Sequence, residues 1–374
     1  FEIAVGEFTG EELYNGKEEA ESLYYSKTVD ITAKETEAAK YSVSDSLDID
    51  SFSNEYTFKS DKEGSQTRKL YFRNTDTGRI YQKDITVNFD NTAPTGKIKV
   101  DAKLWDRFLE IISFGHYRAV SRTVTIEADD TLSGVSNIEY LIANKQMTLD
   151  ELRASELSYT LYDNSNKPVL KENENQIVYV KLTDKAGNIT YLSSDGIVLD
   201  TTAPVISDIH AVSGEDWTDT QFKFEFTVNE EGAYYYTVLP ATKTAPDAAG
   251  VMKAALSESS GSAGSGTVNT LEAGKAVISR LVTGLVANTE YKIYIVAQDK
   301  VYNISTTESK PNISEVAAGD IVTTKKAAPV VEEMPEVSGM YGTKTSELSI
   351  TGGKVTAGGV SIDGSWRVSD TQNS

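Results

Sequence analysis

The chain contains 374 residues, and because most single domains have about 100–150 residues, we expect it to divide into two to four domains. Its hydrophobic share of 39%, with 20 Tyr and 11 Phe, can fill several cores and excludes a chain that is disordered throughout. The net charge of −20 repels both a phosphate backbone and an anionic bilayer, so we expect no nucleic-acid partner and no membrane insertion.

The chain has no cysteine, which excludes a disulfide, a thiolate nucleophile and a zinc–thiolate site. No stretch approaches the roughly 18–20 apolar residues of a membrane helix, and the first residues lack the basic and apolar pattern of a signal peptide. Because the sequence starts at Phe1 without a methionine, we expect an excised fragment of a longer protein whose export signal has been removed.

A short phrase that ends in Thr-Ala-Pro marks predicted domain boundaries. It spans residues 89–94, returns as residues 199–204, and has a looser echo at residues 324–329. The first two copies follow alternating apolar runs, and a proline can neither donate to a β-ladder nor continue a central strand. The spacing of the prolines matches one β-sandwich domain of about 100 residues. The predicted modules are therefore 1–94, 95–204 and 205–327, followed by a linker and a partial further repeat over 328–374.

Alternating apolar residues predict half-buried antiparallel strands along the chain. The clearest runs begin at Val124, Ile138, Phe222 and Tyr291. Before each boundary, a strand led by a tyrosine runs into Asp and then Gly or Asn, residues that suit a tight turn. This pattern predicts the last hairpin of each module, starting at Tyr71, Tyr179 and Tyr291.

Helical signals are short. The capping box at Thr148–Glu151 predicts a helix through about Leu157, and apolar spacing predicts two more over residues 103–112 and 247–256. The Ser- and Gly-rich residues 257–266 predict a flexible loop. The predicted fold class is therefore all-β, with tandem immunoglobulin-like β-sandwich modules arranged as an elongated array and a few short helices.

An ordered set of short segments covers most of residues 95–204. It comprises Trp105 with Phe108, Ser113–Gly115, Val124–Ile126, Ser133–Val135 with Ile138–Tyr140, and Asp184–Asp200. In this set the second module resembles the immunoglobulin-like repeats of large surface proteins from Gram-positive gut bacteria. The resemblance implies an extracellular protein of the cell surface or cell wall, with a role in adhesion or spacing.

Residues 285–299 lead through Asn288 and Thr289 into a strand that starts at Tyr291. This segment resembles the corner of fibronectin type III domains, in which a tyrosine bonds back to the backbone a few residues upstream. It departs from that pattern at Ala287, where proline is common, and in the insertion after Pro240. The tail from Met340 resembles the first part of another short bacterial surface repeat.

Side chains suited to catalysis are scarce. The chain has only two histidines, His116 and His210, and they fall in different predicted modules and in no recognisable motif. We therefore expect no catalytic residue and no enzyme activity.

Carboxylates are plentiful, and Asp129, Asp130 and Asp184 are the candidates for metal binding. Calcium prefers clustered oxygen ligands, and bound calcium can rigidify loops between modules. The alternative is that these residues only form turns, in which Asp is common. Apart from a structural calcium ion, we expect no cofactor.

Trp217 and Tyr235 are the candidates for ligand binding, because aromatic faces can stack on sugars. The alternative is that these rings only pack in cores. Alternate residues of a strand face opposite sides, so Tyr234 and Tyr236 are predicted to enter the core and Tyr235 to point outward. Trp105 is predicted to cap the core of the second module.

These features predict a non-catalytic fragment of a cell-surface stalk or adhesin, a monomer that displays or contacts a host, matrix or glycan ligand. The alternative is a non-catalytic accessory region, carbohydrate-binding or spacing, of a secreted carbohydrate-active enzyme. A third hypothesis, an enzyme in its own right, is disfavoured because activated nucleophiles and bases are scarce.

Overall fold

A computed structural model describes residues 3–5, 24–25, 28–33, 40–60, 62–154, 156–257, 261–269, 271 and 274–368. The chain forms two compact units. The first consists of Phe1–Asp200 with Asn303–Thr307, and the second of Thr201–Tyr302 with Glu308–Ser374. The module boundaries inferred from the Thr-Ala-Pro phrases are finer than this division and stay predictions.

In the first part of the first unit, the residues that the structure describes form two sheets. Its strands are β1 (Ile3–Val5), β2 (Tyr24–Tyr25), β3 (Thr28–Ala33), β4 (Tyr41–Ser44), β5 (Glu55–Lys59), β6 (Gly64–Asn74) and β7 (Ile80–Phe89), with a short 3-10 helix at Ile49–Ser51. One sheet has the order β1-β3-β5 and the other β2-β7-β6-β4. The rings of Phe58 and Phe89 meet edge to face, 5.2 Å apart, across the two sheets.

The rest of the first unit is a larger sandwich. Its elements are β8 (Thr95–Val100), β9 (Lys103–Trp105), β10 (Phe114–Tyr117), β11 (Ser121–Asp129), β12 (Val135–Ala143), α1 (Leu149–Arg153), β13 (Thr160–Leu161), β14 (Val169–Lys171), β15 (Asn175–Asp184), β16 (Ile189–Ser193) and β17 (Gly196–Leu199). One sheet has the order β14-β11-β8-β9. The other has the order β10-β17-β15-β12-β13, with β16 also paired to β15.

The core of this sandwich follows the predicted period of two. Val124 and Ile126 of β11 are buried against Val180 and Leu182 of β15, which lie in the opposite sheet. Trp105 is partly buried and packs against this core, which confirms its predicted position. The predicted hairpin that follows Tyr179 is also confirmed, because β15 and β16 pair in antiparallel register.

The helix predictions for this unit have mixed outcomes. The capping box is present, with Thr148 Oγ1 accepting from the Glu151 amide, but α1 ends at Arg153, short of the predicted Leu157. The helix predicted over residues 103–112 is wrong, because this stretch begins with strand β9. Beyond β9, the Leu109 amide donates to Ser193 Oγ at 2.7 Å, so its partner comes from the sheet and not from a helical turn.

The described residues of the second unit form three sheets. Its elements are β18 (Ile206–Val212), β19 (Phe222–Val228), β20 (Gly232–Pro240), α2 (Ala248–Ser257), β21 (Ala263–Val268), β22 (Ala276–Val282), β23 (Glu290–Asp299), β24 (Ala317–Thr323), β25 (Val330–Ser338), β26 (Ser349–Ala357) and β27 (Val360–Ser361), with a 3-10 helix at Thr345–Glu347. The sheet orders are β18-β19-β22, β21-β20-β23-β24 and β25-β26-β27.

The first two of these sheets face each other across an aromatic core. Phe224 and Phe226 of β19 meet Tyr236 and Tyr234 of β20 edge to face, at 5.2 and 5.3 Å between ring centroids. Tyr235 lies on the other face of β20, as the alternation predicts. There it packs with a small cluster beside α2 that includes buried Val251. Helix α2 itself confirms the helix predicted over residues 247–256.

The segment 257–266 differs from its predicted loop. Residues 258–260 lie outside the described residues, but Ala263–Val268 forms strand β21, paired with β20. Gly264 and Gly266 stand opposite Tyr236 and Tyr234, and a Cβ at either glycine would collide with the facing tyrosine ring. The glycines that suggest a linker are therefore small residues that make room for two core rings.

Strand β23 carries the predicted tyrosine corner. Tyr291 is 4% exposed, and its hydroxyl accepts a 2.8 Å hydrogen bond from the Val286 amide. The hairpin predicted after it is looser than expected, because β24 begins only at Ala317. Asn312 closes the long connection by donating its amide to Asp299 Oδ1 at 2.8 Å and its Nδ2 to Asp299 Oδ2 at 2.7 Å.

Neither α1 nor α2 has the length and apolar character needed to cross a bilayer, and the part of the chain that the structure describes contains no other helix that does.

Candidate metal centre

Two of the three predicted metal candidates come together in the first unit, with a third aspartate that the sequence analysis did not select. Asp130 follows β11 directly, Asp184 is the last residue of β15, and Asp90 follows β7 directly. Carboxylate oxygens of Asp90, Asp130 and Asp184 all lie within 4.8 Å of one another. Asp129 ends β11 with an exposed side chain and does not belong to this group. We call Asp90, Asp130 and Asp184 the acidic cluster.

The Asp130 carboxylate is held by the turn that follows it. Its Oδ1 accepts hydrogen bonds from the Leu132 amide at 3.1 Å and from the Gly134 amide at 2.7 Å. Gly134 has a φ of 80°, a conformation that glycine adopts without a steric penalty. The Ser-Gly sequence at 133–134 therefore fixes the direction of the Asp130 side chain.

The Asp184 carboxylate is held by the β15–β16 turn. Asn188 donates its backbone amide to Asp184 Oδ1 and its Nδ2 to Asp184 Oδ2, both at 2.8 Å. The Lys185 amide donates to the Gly134 carbonyl at 3.0 Å, which joins this turn to the one that holds Asp130. Asp184 is 2% exposed, so its charge is withdrawn from solvent.

Asp90 is fully buried and ties the end of β7 to both turns. Its Oδ1 accepts from the Thr92 amide at 3.0 Å, and its Oδ2 accepts from the Ser133 amide at 3.1 Å. Its backbone carbonyl accepts from Asn188 Nδ2 at 3.0 Å. A segment predicted to be a module boundary is therefore bonded to two turns that lie much later in the sequence.

The acidic cluster combines burial with uncompensated charge. Among the residues that the structure describes, neither Asp90, Asp130 nor Asp184 forms an ion pair with Lys, Arg or His. Buried carboxylates are normally paired with a cation or bound to a metal, because leaving water costs an isolated charge several kcal/mol or more. The cluster offers only oxygen ligands, the type that hard cations such as calcium prefer.

One hydroxyl group at the cluster has no hydrogen-bond partner. Ser133 is 5% exposed, and within the described part of the chain its Oγ is buried without a donor or acceptor beside it. The Ser133 amide donates to Asp90, and the amides of its two neighbours donate to Asp130, so this residue lies between the two carboxylates. Its hydroxyl oxygen is therefore buried in the turn whose amides bind two of the three carboxylates.

The two aromatic candidates for ligand binding lie in the second unit and are engaged in packing. The Trp217 ring packs against Phe222 at 6.5 Å, and its Nε1 donates to the Thr323 carbonyl at 3.0 Å. Tyr235 is partly buried beside α2. A ligand-binding role for Trp217 or Tyr235 stays a prediction.

The histidines are accounted for by local hydrogen bonds. His116 Nδ1 lies 3.0 Å from Asp200 Oδ2, and His210 Nδ1 lies 2.8 Å from the Asp208 carbonyl oxygen. The two histidines belong to different units.

Comparisons with known proteins found structural neighbours with low identities and low TM-scores. No family model matches the chain, and no curated protein matches it. Among solved structures, the FN1–FN3 domains of chicken CNTN1 are 14% identical, cover 81% of this chain and 96% of their own, and give a TM-score of 0.22. Titin domains A168–A170 are 12% identical, cover 82% of this chain and 96% of their own, and give a TM-score of 0.31. The D1–D4 fragment of ICAM-5 is 8% identical, covers 90% of this chain and 81% of its own, and gives a TM-score of 0.27. This chain is similar to these arrays of fibronectin type III and immunoglobulin-like domains, and identities this low carry no conclusion about function.

Proposed function

We propose that the chain is a non-catalytic stalk, a monomeric row of immunoglobulin-like sandwiches that spaces or displays a ligand-binding part of a bacterial cell-surface protein. One observation carries the proposal. Each sheet among the described residues is built from strands of a single stretch of the chain: residues 3–89, 95–199, 206–323 or 330–361.

Locally completed sheets suit a mechanical spacer. When a stretch of the chain supplies all strands of its own sheets, those sheets keep their strand pairing if a neighbouring module unfolds under load. The net charge of −20 adds repulsion between neighbouring modules and opposes self-association. The Thr-Ala-Pro boundaries contribute short connections with a fixed proline φ.

The stalk explains the described residues better than a glycan-binding accessory region does. A glycan platform needs open aromatic faces, and the two rings considered for that role are engaged in packing in the second unit. The resemblance of the second module to bacterial surface repeats supports display outside the cell, attached to the cell surface or wall. The ligand presented would be a host, matrix or glycan molecule bound elsewhere in the parent protein.

Single-molecule stretching of the full chain tests this proposal. Independent modules of about 100 residues should unfold in separate events, each lengthening the chain by about 300 Å, because an extended residue spans about 3.5 Å. A single event that releases most of the 374 residues at once would contradict a stalk of independent modules.

A further inference from the structure

We propose that the acidic cluster binds one calcium ion, with the carboxylates of Asp90, Asp130 and Asp184 and the hydroxyl of Ser133 as ligands. The site would join the end of β7 to the turns that follow β11 and β15. The inference does not depend on the stalk function, because all four residues belong to the first unit and the argument concerns only their contacts.

Electrostatic repulsion within the acidic cluster favours a bound cation. Three carboxylates with oxygens within 4.8 Å of one another repel, and two of them are withdrawn from water, with Asp90 0% and Asp184 2% exposed. The amides that donate to them supply partial charges but no full positive charge. A divalent cation at the centre offsets both the repulsion and the loss of hydration.

The unpartnered hydroxyl of Ser133 also favours a bound ion. Leaving a buried hydroxyl without a partner is energetically costly, and a bound ion is one reason for which such a group persists. The residue that carries this hydroxyl is fixed beside Asp90, because the Ser133 amide donates to Asp90 Oδ2 at 3.1 Å. A hydroxyl oxygen is a neutral, hard ligand that completes a set of carboxylates around calcium without adding repulsion.

The ligand chemistry favours calcium over other biological cations. The set contains only oxygen and lacks the His or Cys that zinc and copper prefer. Calcium–oxygen bonds are about 2.3–2.6 Å long, so two ligand oxygens on opposite sides of the ion can be about 4.8 Å apart. Magnesium demands shorter bonds and near-octahedral geometry, which three chain segments with separate turns satisfy less easily.

The site would act as a clamp on a predicted module boundary. Asp90 lies four residues before Pro94, whereas Asp130 and Asp184 are carried by turns of the sandwich that follows. An ion shared among them adds a bond across this boundary that hydrogen bonds from Asn188 and Ser133 already span. Calcium would therefore stiffen the boundary and raise the melting temperature of the first unit.

Calorimetric titration of the full chain with calcium chloride tests the site. We expect saturable binding with a dissociation constant of about 10⁻⁴–10⁻³ M, the range of extracellular calcium modules. The variant Asp130→Asn keeps an oxygen that can accept from the Leu132 and Gly134 amides, so its turn should persist. It should bind calcium at least about tenfold more weakly, or lose one site per chain.

The matched control is Asp129→Asn, which removes the same charge one residue earlier, from an exposed position outside the cluster. Its affinity should stay within about twofold of the unchanged chain. In the chelator EDTA, Asp130→Asn should melt at or above the temperature of the unchanged chain, because it relieves repulsion. In millimolar calcium, only the unchanged chain and the control should gain several degrees.

The variant Ser133→Ala tests the contribution of the hydroxyl to calcium binding separately from that of the carboxylates. It should weaken calcium binding while leaving the melting temperature in EDTA unchanged or higher, because an unpartnered buried hydroxyl is removed. No saturable calcium binding by the unchanged chain would overturn the site, as would equal losses in Asp129→Asn and Asp130→Asn. If Ser133→Ala binds calcium as tightly as the unchanged chain does, the hydroxyl is not a ligand, and the proposal as stated is overturned.

Discussion

Replacing Gly232 with alanine should destabilise the second unit by about 3 kcal/mol, near the upper end of the usual cost of overpacking. Gly232 is the first residue of β20 and pairs with Asp299 of β23. A Cβ at this position would overlap the carbonyl oxygen of Gln298 and lie 2.9 Å from the Asp299 Cα. Both obstacles are backbone, so no side-chain rotation relieves the collision.

Relief by movement of the backbone is also costly, because the β20–β23 ladder continues from Gly232 to Pro240 in unbroken register. Differential scanning calorimetry of the full chain should show one transition lowered by roughly 10 °C. The control is Gly364→Ala, where a Cβ meets open space and φ is not in the left-handed region. If Gly232→Ala and the control have the same melting temperature, β20 and β23 do not approach each other as closely at Gly232 as the structure shows.

Removing the hydroxyl of Tyr291 should destabilise the second unit by about 1–2 kcal/mol. The variant Tyr291→Phe keeps the buried ring but leaves the Val286 amide without the acceptor that lies 2.8 Å away. The loop before β23 then loses the bond that anchors it to the core. Calorimetry should show a smaller shift of the same transition that Gly232→Ala lowers.

Tyr341→Phe is the control for that experiment. Tyr341 is fully exposed, so removal of its hydroxyl should leave the free energy of unfolding unchanged. A transition in Tyr291→Phe that coincides with the control would mean that water replaces the tyrosine hydroxyl. The hydrogen bond between the Val286 amide and the Tyr291 hydroxyl would then make no net contribution to the stability of the second unit.

The strands were predictable where one face of a sheet is buried. Phe222, Phe224 and Phe226 alternate with polar residues, and this period of two is imposed by the pleat of the strand itself. The module boundaries stay predictions, because a proline excludes only a central strand: Pro335 lies inside β25, an edge strand paired with β26. The tyrosine corner came from the resemblance to fibronectin type III domains and is confirmed by the bond to Val286.

The misread segments depend on partners far along the chain. Residues 103–112 have apolar spacing that suits a helix, but Phe108 and Ile112 reach the cluster around Leu152 from a bent segment. Gly264 and Gly266 resemble linker residues until the rings of Tyr236 and Tyr234 are placed opposite them. Sequence periodicity contains no information about such neighbours.

The sequence analysis selects Asp129, Asp130 and Asp184 together, because hard cations prefer clustered oxygen ligands. The structure brings two of them, Asp130 and Asp184, together with Asp90. Asp90 was missed because the amide that donates to its carboxylate belongs to Ser133, in a turn formed much later in the chain. A signal was present in the sequence, since Asp occupies the same place in both boundary phrases, as Asp90 and as Asp200.

Small-angle X-ray scattering of the full chain in moderate salt tests the stalk most directly, because salt removes long-range repulsion as a trivial cause of extension. A compact globule of 374 residues has a radius of gyration of about 21 Å by size scaling. Three modules in a row, each with strands of about 10 residues and hence about 35 Å long, span about 100 Å and give a radius of gyration of about 30 Å or more. We predict a value in this higher range, and a value near 21 Å would contradict the stalk.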